Sequence, residues 1–230
     1  MRITAVEPGT LAYDERVGDL VDPFGLRPFS HRPFRDALQA SLEQDPRPVA
    51  APGDRLAAVL ALLIEEPTPS LLFTERSKAL SRHAGEVSFP GGLQEPGDAD
   101  LAATALREAE EEIGLDRALP ELLGALPAVH TTVSAILVTP FVGTVRALPT
   151  LGVSDGEIVR VLTVPVATLV DIEEERSYPR DDGPTWRGWA YEVEGATIWG
   201  ATGWMLHDLL RLLASSPGSS SWARSPGSIS

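Results

Sequence analysis

The stretch FPGGLQEPGDADLAATALREAEEEIGL, residues 89–115, joins a glycine turn to a segment carrying four glutamates and an arginine near its end. Leu101, Ala105, Ala109 and Ile113 recur at helical spacing, and Ala102 and Leu106 widen the stripe, which predicts an amphipathic α-helix. Asp98 or Asp100 can cap its start, and Gly114 followed by Leu115 supplies a glycine stop. On that helix Glu108, Glu111 and Glu112 stand at i, i+3 and i+4, within an arc of roughly 100°. Glu110 points nearly opposite Glu108, toward solvent.

Such crowding is unfavourable by itself. Like charges at this spacing repel by roughly 0.2–0.5 kcal/mol per pair, and a helix C-terminus already carries partial negative charge. The usual basic partner at i+4 is missing, because Glu108 meets Glu112, and Lys78 is the only lysine in the chain. A solvated acidic face is one reading. The other is a hard-oxygen surface for Mg²⁺ or Mn²⁺, which bind through one or two carboxylates together with substrate phosphates. Arg107, four residues before Glu111, sits beside the same cluster.

Working outward, 230 residues suit one sizeable domain with appendages. A net charge of -14 argues against general nucleic-acid or membrane-surface binding, which needs basic fields. A small anionic substrate stays open, since a bound cation reverses the local potential. The absence of cysteine excludes disulfides, thiolate metal sites and cysteine nucleophiles. The start has no apolar stretch of signal-peptide length, and LAAVLALLI, Leu56 to Ile64, is shorter than the roughly 18 residues of a membrane span. A cytoplasmic protein, monomer or homodimer, is expected.

Residues 1–33 are expected to form an irregular arm, 34–214 the main domain, and 215–230, rich in Ser, Gly and Pro, a disordered tail. FRDALQASLEQ has helical spacing from Phe34. DRLAAVLALLIEE, PTPS and LLFTER read most simply as a hairpin around a proline turn, while the Ala and Leu content of the first run also suits a helix. EVSFPGG predicts a short strand entering a glycine turn. SAILVTPFVGTV and RVLTVPVATLV read as buried strands, each broken by a proline near an end or bulge. WRGWAYEV and ATIWGA supply further strand material, and TGWMLHDLLRLLA a closing amphipathic helix. Strands interspersed irregularly with helices give an α/β or α+β class.

The segment from Gly92 onward closely resembles the signature of the Nudix hydrolases, G-x5-E-x7-R-E-U-x-E-E-x-G-U with U apolar. Arg107, Glu108, Ala109, Glu111, Glu112, Gly114 and Leu115 fill its second half in register. In the first half Asp98 stands where the pattern has Glu, and one extra residue separates it from Arg107. The resemblance implies an α/β/α sandwich with a mixed sheet and a loop-helix-loop catalytic motif. It implies Glu108 and Glu112 as the main metal ligands and Glu111 as a further ligand or a base acting through water. Arg107 would orient the carboxylates, and the main-chain carbonyl of Gly91 would complete the coordination.

Residues 72–92, LFTERSKALSRHAGEVSFPGG, are similar to the extra signature of coenzyme A pyrophosphatases, LLTxR(S/A)-x3-R-x3-G-x3-FPGG. Leu72, Thr74, Arg76, Ser77, Gly85 and Phe89-Pro90-Gly91-Gly92 match in spacing, while Ser81 stands where the pattern has arginine, with Arg82 adjacent. Arg76, Arg82 and His83 concentrate positive charge just before an acidic site, and arginine's planar fork suits phosphate. With Phe89 they are the expected substrate contacts. The implied reaction is hydrolysis of coenzyme A or its derivatives to 3′,5′-ADP and 4′-phosphopantetheine. Glu111 and Glu157 are alternative bases. A Nudix pyrophosphatase for ADP-ribose, NADH or another nucleoside diphosphate, and a Nudix-fold sensor that binds without cutting, are the competing readings. Trp186, Trp189, Trp199 and Trp204 suit either core packing or stacking on adenine.

Overall fold

A computed structural model describes residues 31–77, 85–131, 135–153, 158–180 and 183–216. Its helices are α1 (His31–Ala40), α2 (Leu101–Ile113), α3 (Val166–Asp171) and α4 (Gly200–Ser215). Its strands are β1 (Arg55–Glu66), β2 (Ser70–Arg76), β3 (Val87–Ser88), β4 (Gly91–Leu93), β5 (Glu121–Ala125), β6 (Val129–Thr131), β7 (Ile136–Ala147) and β8 (Ile158–Pro165). Three more follow, β9 (Glu174–Arg180), β10 (Gly183–Val193) and β11 (Ala196–Ile198).

The apolar run that is too short for a membrane is the central strand. β1 is buried without a break from Ala57 to Glu65, so both of its faces are covered. The strand order β3-β2-β1-β7-β5 forms one sheet, with β4 paired to β1, β6 to β7 and β8 to β2. β1 and β7 run parallel and the other pairings are antiparallel, which makes the sheet mixed. β9, β10 and β11 form a second, three-stranded sheet against which α4 packs.

α2 lies on β1 through the predicted stripe. Leu101, Ala105, Ala109 and Ile113 are buried with Ala58, Leu60, Leu62 and Ile64, alternate residues of β1 that share one face. Asp100 is the N-cap and accepts the Ala103 N–H at 2.8 Å, worth about 1 kcal/mol. Gly114 ends the helix at φ 64°, a left-handed conformation suited to glycine. At the other end of the chain's core, Glu65 is 5% exposed and accepts from Arg35 Nε at 2.5 Å and Thr144 Oγ1 at 2.6 Å, tying α1 to the sheet.

The expected hairpin is β1–β2, with Leu63 opposite Leu71. α1 begins at His31, ahead of the expected Phe34. Two proline segments differ from expectation. Pro140 does not break β7: it stays in register with Val59 of β1 and its carbonyl accepts the Leu126 N–H at 2.9 Å, at a position between the residues that pair with β6 and those that pair with β5. Pro165 instead ends β8, and the following Val166–Asp171 is helix rather than strand, because the fixed φ of proline leads into a helical turn. The charged stretch EERSYPR, with β5 and β6, adds strands that the sequence reading did not contain. Residues 1–30 and 217–230 lie outside the described residues, as do Arg82, His83 and Glu157. No helix among the described residues is long and apolar enough to cross a membrane.

Candidate active site

The site is built where β4 meets the C-terminal half of α2. β4 pairs with β1, setting Gly91 opposite Val59 and Gly92 opposite Ala58. Both glycines are required by close approach. A Cβ on Gly91 would lie 2.3 Å from the Ala58 carbonyl oxygen, and one on Gly92 would lie 2.5 Å from the Glu108 carboxyl. The Gly91 N–H donates to Glu112 Oε2 at 3.2 Å. The glycine turn therefore brings main chain directly against the two glutamates at i and i+4 of the helix.

Arg107 organises the rest. Its Nη1 donates to Glu108 Oε1 and to Glu111 Oε2, each at 3.0 Å. Nε donates to Asp98 Oδ1 at 2.9 Å, and Nη2 donates to Asp98 Oδ2 at 3.1 Å and to the Leu93 carbonyl at 3.0 Å. Asp98 also accepts the Glu95 N–H and the Thr104 hydroxyl, each at 2.9 Å. The extra residue between Asp98 and Arg107 is thus absorbed in the loop, and Asp98 still delivers a carboxylate to the arginine. Asp100 takes the capping role and Asp98 the ion pair, a division that spacing alone left open.

Electrostatics follow from this geometry. Hydrogen bonds from Arg107, then from the Glu95 N–H, hold the Asp98 carboxyl well below the usual carboxylate range. Burial pushes the Glu108 carboxyl up; Arg107 opposes the shift, while Glu111 and Glu95 add to it. A site that raises the proton affinity of a carboxylate through burial and neighbouring acids is one where a further cation is electrostatically welcome. Glu111 is the outermost acid, with its side chain 56% exposed, whereas Glu110 faces away and pairs with Arg117 at 2.5 Å.

The donor set fits a hard divalent cation: carboxylate oxygens from one helix face, with glycine main chain pressed against them. As the side chains stand, no three His, Asp or Glu among the described residues are gathered closely enough to hold an ion. Guanidinium groups stand among the acids instead, Arg107 on Glu108 and Glu111, and Arg76 Nη1 at 3.8 Å from Glu112 Oε1.

Arg76 arrives there because β2 and β3 pair, Thr74 opposite Ser88 and Glu75 opposite Val87, and the Arg76 N–H donates to the Glu86 carbonyl at 2.9 Å. Phe89 requires a correction. Its ring is 1% exposed and stacks on Phe73 with centroids 4.8 Å apart, so it is a core residue beneath the turn and offers no surface to a substrate. Sequence reading also missed Glu75, Arg160 and Glu194, which form an ion chain behind Arg76.

A fold of this kind, with a glycine turn set against an acidic helix, defines a family. The NUDIX domain model matches residues 54–183. A protein of Photorhabdus laumondii called uncharacterized Nudix hydrolase NudL is 35% identical over 180 residues, covering 76% of this chain and 94% of that protein. One of the same name from Shigella flexneri is 36% identical over 166 residues, covering 71% and 85%. Among solved structures, a NUDIX hydrolase from Alicyclobacillus acidocaldarius aligns with a TM-score of 0.43 at 21% identity, over 51% of this chain and 82% of that one. The chain belongs to the Nudix hydrolase family, whose members generally use divalent metal ions.

Proposed function

We propose that this hydrolase cleaves the diphosphate linkage of coenzyme A or its acyl derivatives, in the cytoplasm, releasing 3′,5′-ADP and 4′-phosphopantetheine. Glu108 and Glu112, with Glu111 and the main-chain carbonyl of Gly91, would hold Mg²⁺ or Mn²⁺. When bound, such an ion neutralises diphosphate charge and activates water.

The chain's own residues supply the remaining chemistry. Water attacks one phosphorus, the bridging P–O bond breaks, and the leaving phosphate carries the electron pair. Glu111 is the exposed acid of the cluster, free of the close glycine contacts, and accepts the water's proton at a carboxylate oxygen. Arg107 positions Glu108 and Glu111 by donating to both from one nitrogen. Arg82, His83 and Glu157 enter this proposal on their sequence positions alone.

One observation supports the reading of the substrate: β2, which precedes the Nudix signature in sequence, ends with Arg76 beside Glu112, at the same end of α2 as the glycine turn. A guanidinium within a few ångströms of an acidic cluster that would hold a cation is suited to bind the oxygens of a diphosphate. Coenzyme A carries a 3′-phosphate besides its diphosphate, so it calls for cations beyond the metal. Turnover of coenzyme A, dephospho-coenzyme A and ADP-ribose tests this. Coenzyme A should be fastest; faster cleavage of ADP-ribose would move the proposal to a nucleoside diphosphate sugar. Binding without cleavage of any diphosphate would make the chain a sensor.

A further inference from the structure

The end of β2 that carries Arg76 is fastened from behind. Arg160 of β8 donates from Nε to Glu75 Oε2 at 2.8 Å and from Nη1 to Glu194 Oε2 at 3.1 Å, and its Nη2 reaches the Glu194 carbonyl at 3.4 Å. Glu75, immediately before Arg76, is 8% exposed, so its carboxylate depends on that guanidinium. The β2–β8 ladder slips at this point. Glu75 lies opposite Arg160 but Arg76 lies opposite Ile158, leaving Val159 as an extra, exposed residue. Irregularities of this kind re-aim a side chain beside a site.

Glu194 is the less expected partner. It occupies the two-residue turn between β10 and β11, where Val193 pairs with Ala196, and its φ is +48°, followed by Gly195 at +81°. Turns with two positive φ values favour Asn-Gly or Asp-Gly, and a non-glycine residue in this conformation carries backbone strain. The strain is retained where both the carboxylate and the carbonyl of the residue meet Arg160.

We infer that Glu194, acting through Arg160 and Glu75, is a positioning residue that holds Arg76 at the diphosphate site. The inference rests on the reading that Arg76 binds substrate phosphate. Locking the strand end from the hairpin tip limits how far the Arg76 guanidinium can swing, which bears on substrate affinity and not on the chemical step.

Glu194→Asn tests it, because asparagine suits the turn better than glutamate and the variant should melt no lower than wild type. KM for coenzyme A should rise roughly three- to tenfold with kcat within about twofold. In an Arg76→Gln background, where KM is already raised, the same change should move KM by less than about twofold. Glu194→Gln, which keeps length and an acceptor oxygen, should restore part of the affinity. An unchanged KM for Glu194→Asn beside a raised KM for Arg76→Gln overturns the inference and leaves the Arg76 reading standing. An unchanged KM for Arg76→Gln removes both. Should wild type cleave ADP-ribose and not coenzyme A, the substrate assignment fails by itself, and the same variants measured on ADP-ribose decide the positioning role of Glu194.

Discussion

Asp98 grips Arg107 with both oxygens, Oδ1 to Nε at 2.9 Å and Oδ2 to Nη2 at 3.1 Å, from a loop one residue longer than the family pattern. The side chains of the pair are 5% and 10% exposed. Removing Asp98 takes two charge-assisted hydrogen bonds from Arg107, which keeps Glu108 and Glu111 on Nη1, and costs about 2 kcal/mol. Asp98→Ala should therefore lower Tm by roughly 4–8 °C, read by circular dichroism. A drop within the scatter of exposed pairs such as Arg117–Glu110 would mean that the loop, not the pair, holds Arg107.

The same pair sets a pH dependence. Its hydrogen bonds hold Asp98 below its unfolded value, so its stabilising contribution is present above the ordinary carboxylate pKa of about 4 and is lost as pH falls toward the folded value. Urea midpoints measured from pH 6 to pH 3 should fall less steeply in Asp98→Asn than in wild type. Parallel curves would contradict the assignment.

Gly91 and Gly92, though adjacent, should fail in different ways. The Cβ of Gly91→Ala meets the Ala58 backbone oxygen at 2.3 Å, and the strand cannot give, so the fold is destabilised. For Gly92→Ala the obstacle is the Glu108 carboxyl at 2.5 Å, the movable end of a side chain. That variant should melt near wild type and lose turnover by about tenfold or more. Equal melting losses in both would show that Gly92 is a folding position.

Glutamates on the two faces of α2 should part company under substitution. Glu110→Gln removes only an exposed pair with Arg117 and should leave turnover nearly intact. Glu112→Gln removes a carboxylate that is 14% exposed and held by the Gly91 N–H, and should reduce turnover by about a hundredfold or more. Similar losses at both would mean that the acidic face is assigned to the wrong side of the helix.

Much of this was legible in residues 89–115. Helical spacing gave α2, its glycine stop and the face shared by Glu108, Glu111 and Glu112 because those are local properties of one element, while the choice of Asp100 over Asp98 as N-cap turned on where Arg107 draws Asp98. The hairpin β1–β2 was visible because a proline turn separates two apolar runs. What escaped depended on other elements. EERSYPR lacks apolar alternation, and it is a strand because β10 pairs with it. Phe89 looks like part of a surface motif, but stacking on Phe73 buries it. The partnership of Glu75, Arg160 and Glu194 joins residues 85 and 34 positions apart, which no window of sequence contains.

The proposed activity is metal-dependent cleavage of coenzyme A at its diphosphate. Incubating the protein with coenzyme A in ¹⁸O-water, with Mg²⁺, with Mn²⁺ or with a chelator, and weighing the products by mass spectrometry tests it directly. The expected products are 3′,5′-ADP and 4′-phosphopantetheine, one of them carrying a single ¹⁸O, with either metal, and neither product under chelation. Intact coenzyme A in every condition, or cleavage undiminished by the chelator, would contradict it.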